Sequence, residues 1–526
     1  MHRRAPILMI ALDAAEPRLI EQWIDDGTLP NLKRLRDLGI YSRLASPADW
    51  LAGAVWPTFY TGTPPSRHGI YHFLQWRPEQ MQLVRPSSDW LPARPFWRSL
   101  SDFGKRVVAV DLPMTYAPEP FEGVEVQGWV THDRLTPPRC YPADLAGWIR
   151  SQVGSPPLGG EPYGPLPAKT LLKFRDELLA KTKYISDLAV AMVKREQADL
   201  FLFALTSTHT GGHKFWDLSG VRGQASERER EQLSRSLRDV YVGCDGAVGQ
   251  ILKAAPSPAT VLVFSLHGMG PNSSRAEILS TMLARILGSK ADGKDLGTLG
   301  RLRLMVPQNW RHSVKRRLPP SLQDRLTAFW RLRKVDWSTA RTISLCMDLQ
   351  GYVGINVKGR EAEGIVEPGK ECDDLCSMIV DGLRTFSDAD SGEPLVRDIQ
   401  RGNELSSGES TCAYLPDLMI RWTDTPAANH RLIASPVHGV IPWPHTGASP
   451  DGRSGNHRPE GFVLAAGSGI PREMETRDPH ILDLAPTVCS LLEVPIPRSM
   501  TGRPLFRTNG NLAEVEKKDD LVRPPS

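Results

Sequence analysis

The chain has 526 residues, 40% apolar and 24% charged, with a net charge of only +4 at pH 7. That length exceeds one ordinary hydrophobic core, so a large globular domain carrying an insertion or a second lobe is expected. The small charge excess argues against nucleic acid as a partner, no zinc-finger or helix-turn-helix spacing occurs, and no stretch reaches the ~20 apolar residues of a membrane helix.

The opening "MHRRAPILMIALDAAEP" has the basic start and apolar run of a signal peptide, but Asp13 ends the run and no small-residue cleavage pattern follows. It reads as a buried first strand. Next, "LPNLKRLRDLG" repeats leucine at a spacing of three (Leu29, Leu32, Leu35, Leu38), which predicts a helix with Gly39 as its C-cap. Then come "RVVAVDLP", "DLFLFALT", "TVLVFSLHG", "DLMIRW" and "GFVLAAG", unbroken apolar runs suited to strands buried on both faces. Such strands separated by helices predict an α/β fold with a doubly wound, mostly parallel sheet, whose ligands sit at the carboxyl ends of the strands. Seven cysteines scattered from Cys140 to Cys489 show no disulfide framework, and the Cys372/Cys376 pair lacks zinc-knuckle spacing. A reducing, cytoplasmic setting is the expectation.

The residues beside those runs carry the chemistry. Asp13 follows the first, His209 and His213 follow "DLFLFALTST", His267 follows "TVLVFS", and His457 precedes "FVLAAG". Four histidines and an aspartate around predicted strand ends form a metal-site pattern, since imidazole and carboxylate suit zinc and similar ions. For any one of these histidines, a capping or surface role is the commoner explanation.

Together, "ALDAAEP", "TGTPPSRHGIYHF", "THTGGHKFW", "SLHGMGPNSS", "GNHRPEG" and "ILDLAPTVCSLLEVPIP…TGRPLF" resemble, in order, the alkaline phosphatase superfamily and its type I phosphodiesterase/nucleotide pyrophosphatase-like branch. The resemblance spans residues 7 to 506. It implies an alkaline phosphatase-like core and a two-ion site, one ion held by His209, His213 and His457. Three histidines with an open fourth position also suit catalytic zinc on chemical grounds. The resemblance implies a second ion held by Asp13, an Asp-His pair and a hydroxyl nucleophile. His267 matches, but Leu266 stands where the family has Asp, and the nucleophile slot, nine residues before Thr61-Gly62, is Ala52.

The nearest hydroxyls are Ser46, Thr58 and Thr61. Pro57 fits only a first helical turn, so a helix should begin near Val55 and hold Thr58 in that turn, either as a nucleophile candidate or as a local hydrogen-bonding group. Asn272, Asn456, Arg458 and Lys214 flank the motif histidines and are candidate donors to an anionic substrate. His68, His72, Trp56 and Trp216 read as packing residues.

Between Arg301 and Lys334 lie ten Lys or Arg against one acidic residue, Asp324, and Leu322, Leu326, Phe329 and Leu332 fall on one helical stripe. A basic amphipathic helix can contact an anionic membrane weakly or pack on the main sheet. The expected organisation is therefore core in 1–274, a basic helical insertion in 275–340, core again in 341–506 and a disordered tail in 507–526. The expected activity is metal-dependent hydrolysis or transfer of a phosphate ester or diester on a small phosphorylated substrate, with metal-activated water replacing the missing nucleophile. One or two divalent ions are implied, zinc foremost, with Mn2+ or Mg2+ as alternatives. The competing expectations are a non-catalytic member that binds an anionic ligand or partner, and a phosphomutase-like isomerase.

Overall fold

The computed structural model describes residues 5–506 apart from 133, 158, 289–317, 319, 333–334, 346–348, 406–413, 445–446, 448, 472–473 and 475–477. The expected tail at 507–526 and most of the basic segment, 301–317, 319 and 333–334, lie outside the described residues.

An eight-stranded sheet forms the core: β1 (Ile7–Leu12), β2 (Ile40–Leu44), β3 (Val107–Val110), β4 (Gly123–Gln127), β5 (Arg139–Tyr141), β6 (Leu200–Leu205), β7 (Thr260–Ser265) and β8 (Gly461–Gly467). Their order is β2-β8-β7-β1-β6-β3-β4-β5. The run β7-β1-β6-β3-β4 is parallel, while β8 runs antiparallel to both neighbours and β5 antiparallel to β4. Every residue of β1, β3, β6 and β7 is buried, as uninterrupted apolar runs require.

The pleat sends alternate side chains to two separate cores. Leu8, Ile10, Leu12, Phe201 and Phe203 pack beneath the helices Ala168–Arg195 and Glu227–Ala254. Ile7, Met9, Ala11, Leu200 and Leu202 face Phe59, Tyr60, Leu484 and Val488 on the other side. This is the doubly wound α/β architecture the sequence predicts.

Helix α1 (Pro30–Leu38) forms as expected and Gly39 ends it, for a different reason than a left-handed cap. Gly39 has φ −141°, and a Cβ there would lie 1.9 Å from the carbonyl oxygen of Ala465 in β8. The chain needs glycine to lie flat against the neighbouring strand. Helix α2 (Val55–Thr61) begins where Pro57 requires.

The expected second part of the core, 341–506, divides in two. Thr342–Ser344, Gly351–Ile355, Leu418–Trp422 and Val396–Arg401 build a separate four-stranded antiparallel sheet. Its own apolar cluster joins Val353, Ile355, Leu418 and Ile420 to Leu279 and Leu283 of the helix Ala276–Ile286 and to Leu375 and Ile379 of the helix Lys370–Arg384. The "DLMIRW" strand thus belongs to a second lobe, and the chain returns to the main sheet at β8, Gly461–Gly467. Apolar continuity makes a strand; it does not say which sheet the strand joins.

The helix Pro320–Leu332 carries the end of the basic segment. Asp324 turns inward to a bidentate pair with Arg85, and Ala328 and Leu332 pack beside Trp76 and Leu83, whereas Leu322, Leu326 and Phe329 are exposed. Among the described residues no helix is long and apolar enough to cross a membrane.

The Gly39 contact sets a stability test. Gly39→Ala forces a methyl into the backbone of β8, so it should cost about 1–3 kcal/mol, the usual range for overpacking, read as a lower urea midpoint without a change in slope.

Candidate metal centre

Asp13 sits one residue past β1 and is 1% exposed. Its N–H still bonds Leu205 O, at 3.0 Å, so the parallel pairing with β6 fixes its position. β6 ends at Leu205, and Thr206 leads into helix α3 (Ser207–Phe215). Thr208 ties the two strand ends together by donating Oγ1–H to Asp13 O, at 2.6 Å. On α3, positions i and i+4 share a face, so His209 and His213 project together.

The two glycines between these histidines let other backbone come close. A Cβ on Gly212 would lie 2.7 Å from Met269 Cγ, and one on Gly455 would lie 2.2 Å from Gly212 O. This tolerance lets the antiparallel ribbon Gly268–Pro271/Gly455–Arg458, in which Met269 faces His457, seat against the helix. His267 lies between β7 and that ribbon. Thus Asp13, His209, His213, His267 and His457 converge, each at most 7% exposed.

Their ligand atoms form two triads, each within 4.8 Å: His209, His213 and His457; and Asp13, His209 and His267. His213 Nδ1–H donates to Gly455 O at 2.9 Å, and His209 Nδ1–H donates to Asp13 Oδ2 at 2.9 Å. The two Nε2 atoms are 3.1 Å apart. With both rings neutral, each Nε2 carries a lone pair turned inward, and a cation between them satisfies both. A tetrahedral zinc ion with bonds of about 2.0–2.1 Å holds its nitrogens about 3.3 Å apart, so the residues fit such an ion. His457 completes the set, with its ring centroid 4.9 Å from both of the others.

The electrostatics agree with ligand chemistry. Burial drives His213 and His457 well below the ordinary histidine pKa and His267 down to about 4, keeping the rings in the neutral form that binds metals. For Asp13 burial works upward, but the adjoining His209, His132 and His267 together outweigh it and hold the carboxyl well below its usual range. Trp56, in the first turn of α2, donates Nε1–H to Asp13 Oδ1 at 3.0 Å. The tryptophan is core, as the sequence suggests, and also a partner of the site.

One neighbour escapes sequence reading. His132 approaches Asp13 Oδ2 at 3.4 Å and lies against His209 with 3.8 Å between ring centroids. Its loop is fixed by Asp111, just past β3, whose carboxylate accepts N–H bonds from Trp129, Val130 and Thr131 at 2.7–2.9 Å. The only sequence signal was a lone histidine beyond a short strand.

The flanking candidates point elsewhere. Lys214 is buried and donates to Asp451 O at 2.6 Å, with Glu161 at 3.7 Å. Glu161 in turn takes a bidentate pair from Arg453, at 2.9 and 2.8 Å, a guanidinium close enough to act on His213 and His457 that sequence reasoning also missed. Asn272 donates to Arg453 O and accepts from Ser274 N–H, Asn456 accepts its neighbour's N–H from His457, and Arg458 pairs with Asp424 at 2.6 Å. These groups brace the ribbon.

Thr58 is fully buried, and its Oγ1 meets His68 Nε2 at 3.0 Å. Ser46 caps the turn Pro47–Asp49 and donates to Pro459 O, and Thr61 donates to Pro57 O. Ala52 and Leu266, in the slots of nucleophile and carboxylate, lie in the apolar core at 4% and 1% exposure.

A family model described as type I phosphodiesterase/nucleotide pyrophosphatase matches residues 7–374. The chain belongs to this family. Phosphonoacetate hydrolase from Sinorhizobium meliloti 1021, solved with phosphonoformate and with phosphonoacetate, has a similar fold in both complexes: TM-score 0.53, 14% identity, 92% of this chain and 94% of that one. Human ectonucleotide pyrophosphatase/phosphodiesterase 5 aligns at TM-score 0.47 and 12% identity over 96% of this chain and 97% of its own. No curated protein matches in sequence. The family assignment therefore rests on the sequence model, and the phosphonoacetate hydrolase likeness shows the alkaline phosphatase-like fold. Members of this family use divalent metals, with which the His/Asp cluster is compatible.

Beside the centre, His68 supplies a pH test. Burial pushes its pKa from 6.5 down to about 3, and its Nδ1 accepts the Ile70 N–H at 3.0 Å. Between those values the unfolded chain binds a proton that the folded ring refuses, so stability falls as pH drops through the window and is fully present above 6.5. His68→Asn keeps an acceptor for Ile70 and should flatten the dependence, measured by urea unfolding across that range.

Proposed function

We propose that this chain is a metal-dependent hydrolase of a phosphate ester or diester, with His209, His213 and His457 holding a divalent cation, zinc foremost. The observation that carries this reading is the buried triad of His209, His213 and His457, whose ligand atoms lie within 4.8 Å of one another. When bound there, such an ion polarises a phosphoryl oxygen and lowers the pKa of water. Asp13, gripped by Trp56, sets the tautomer and orientation of His209, and Gly455 O does the same for His213. Arg453 and Lys214 add positive potential on the α3 side, which favours an anionic substrate, while Glu161 between them limits it. Asn272, Asn456 and Arg458 serve this reading by holding the ribbon that carries His457.

Water is the attacking group in this reading. Ala52 has no nucleophilic atom. The Thr58 hydroxyl faces His68, whose Nδ1 already accepts from Ile70, so a neutral His68 presents Nε2–H and cannot take the threonine proton. The lack of a hydroxyl in the slot also weighs against a phosphomutase-like isomerase. The apolar residues at 52 and 266 favour a second reading, a non-catalytic member that binds an anionic ligand. Turnover of a broad panel of phosphate esters and diesters separates the two, and no turnover in metal-replete protein would favour the binder.

His213→Ala should abolish zinc retention, measured by elemental analysis of protein purified without chelator; undiminished zinc would remove the assignment. A single displacement by water inverts configuration at phosphorus, whereas passage through a phosphorylated threonine or serine retains it. Hydrolysis of a chiral phosphorothioate ester in isotopic water should give inversion, and acid-quenched protein should carry no phosphate on Thr58. Net retention would identify a hydroxyl nucleophile in the Ser46–Thr61 stretch.

A further inference from the structure

We infer that the centre holds one ion per chain and that Asp13 acts from outside its coordination sphere. The inference rests on the metal-centre reading above and narrows it, because resemblance to the family implies two ions. The second would need Asp13, a carboxylate at 266, His267 and a hydroxyl at 52. Two of these four positions are aliphatic: Leu266 and Ala52 are packed into the apolar cluster around Phe264 and Val55 and offer no donor atom.

The third, Asp13, is already engaged. Its Oδ1 accepts from the Trp56 indole, a group that can only donate. Its Oδ2 accepts His209 Nδ1–H, with His132 Nε2 3.4 Å away. His209 Nε2 is committed to the pair with His213, so its Nδ1 must keep its proton, and Asp13 is the acceptor that holds it. This is a carboxylate–histidine–metal relay, in which the carboxylate orients the ligand and raises its basicity without binding the ion.

The flank of Asp13 is covered by protein. The His132 ring lies 3.8 Å from that of His209, on a loop held by three N–H bonds to Asp111. Asp111 adopts φ 60°, a left-handed conformation costly for a residue with a side chain, so the surrounding structure imposes this loop. Of the family's second set Asp13 and His267 remain, the latter with Nδ1 bonded to Gly268 O at 3.2 Å, and the His209 that shares their cluster belongs to the first triad. One imidazole and one carboxylate fall short of the three or four protein ligands that zinc sites use.

The test is metal stoichiometry, which does not depend on turnover. Full-length protein is saturated with Zn2+, freed of excess by gel filtration and analysed by elemental analysis and zinc X-ray absorption. The expected result is one zinc per chain with no metal–metal scattering at the ~3.5–4 Å of two-ion sites. His267→Ala should keep one zinc, and Asp13→Asn should keep one with affinity about 10–100-fold weaker. Two zinc ions in the unmodified chain, reduced to one by His267→Ala or His132→Ala, would overturn the inference and place a rebuilt second site around those rings while leaving the metal-centre reading intact. No zinc at all would overturn both. The unmodified chain decides stoichiometry even if a variant fails to fold.

Discussion

Everything about the centre turns on how His209 is gripped. Asp13 takes its Nδ1–H at 2.9 Å, and His213 faces its Nε2 at 3.1 Å. The first contact requires the ends of β1 and β6 to stop level, which their parallel register from Ile7/Leu200 to Leu12/Leu205 ensures. The second requires one helical turn of α3. The third ligand, His457, lies 244 positions beyond His213 and reaches them only because Gly212 and Gly455 let the ribbon touch the helix.

Burial gives this arrangement its chemical character. Rings removed from water shed their protons because a dry site penalises charge, and one ionised carboxylate survives among them because His209 donates to it. Neutral imidazoles massed in this way offer their inward lone pairs to a cation. The nearby charges are balanced locally: Glu161 is shared by Arg453 and Lys214, and the pairing holds its pKa at about 2 against the upward pull of burial.

The departures from the family pattern cluster on one side. Leu266 and Ala52 both pack into the apolar cluster with Phe59 and Phe264, whereas His209, His213 and His457 form one group of ligand atoms. Losing a carboxylate and a hydroxyl together is chemically coherent, since either left alone would be a buried polar group without a partner. Trp56 supports this account by spending its only donor on Asp13.

The sequence by itself determined the sheet-forming runs, the i,i+4 histidine pair, the helix start near Pro57 and the five side chains that converge at the candidate centre, because each follows from local rules: apolar continuity, helical spacing, proline geometry and residue chemistry. It also placed the aliphatic Ala52 and Leu266 where the resemblance implies a hydroxyl and a carboxylate. What only the tertiary structure decided is which strands share a sheet and which polar atoms face one another. "DLMIRW" reads like a core strand, yet it belongs to the second lobe, since its burial could be met by either sheet. Gly39 reads like a left-handed cap and serves a close approach to Ala465. His132 gave only the signal of a lone histidine beyond a short strand, and Arg453 none: their roles depend on contacts across 119 positions to Asp13 and 292 to Glu161, distances in sequence over which no periodicity carries information.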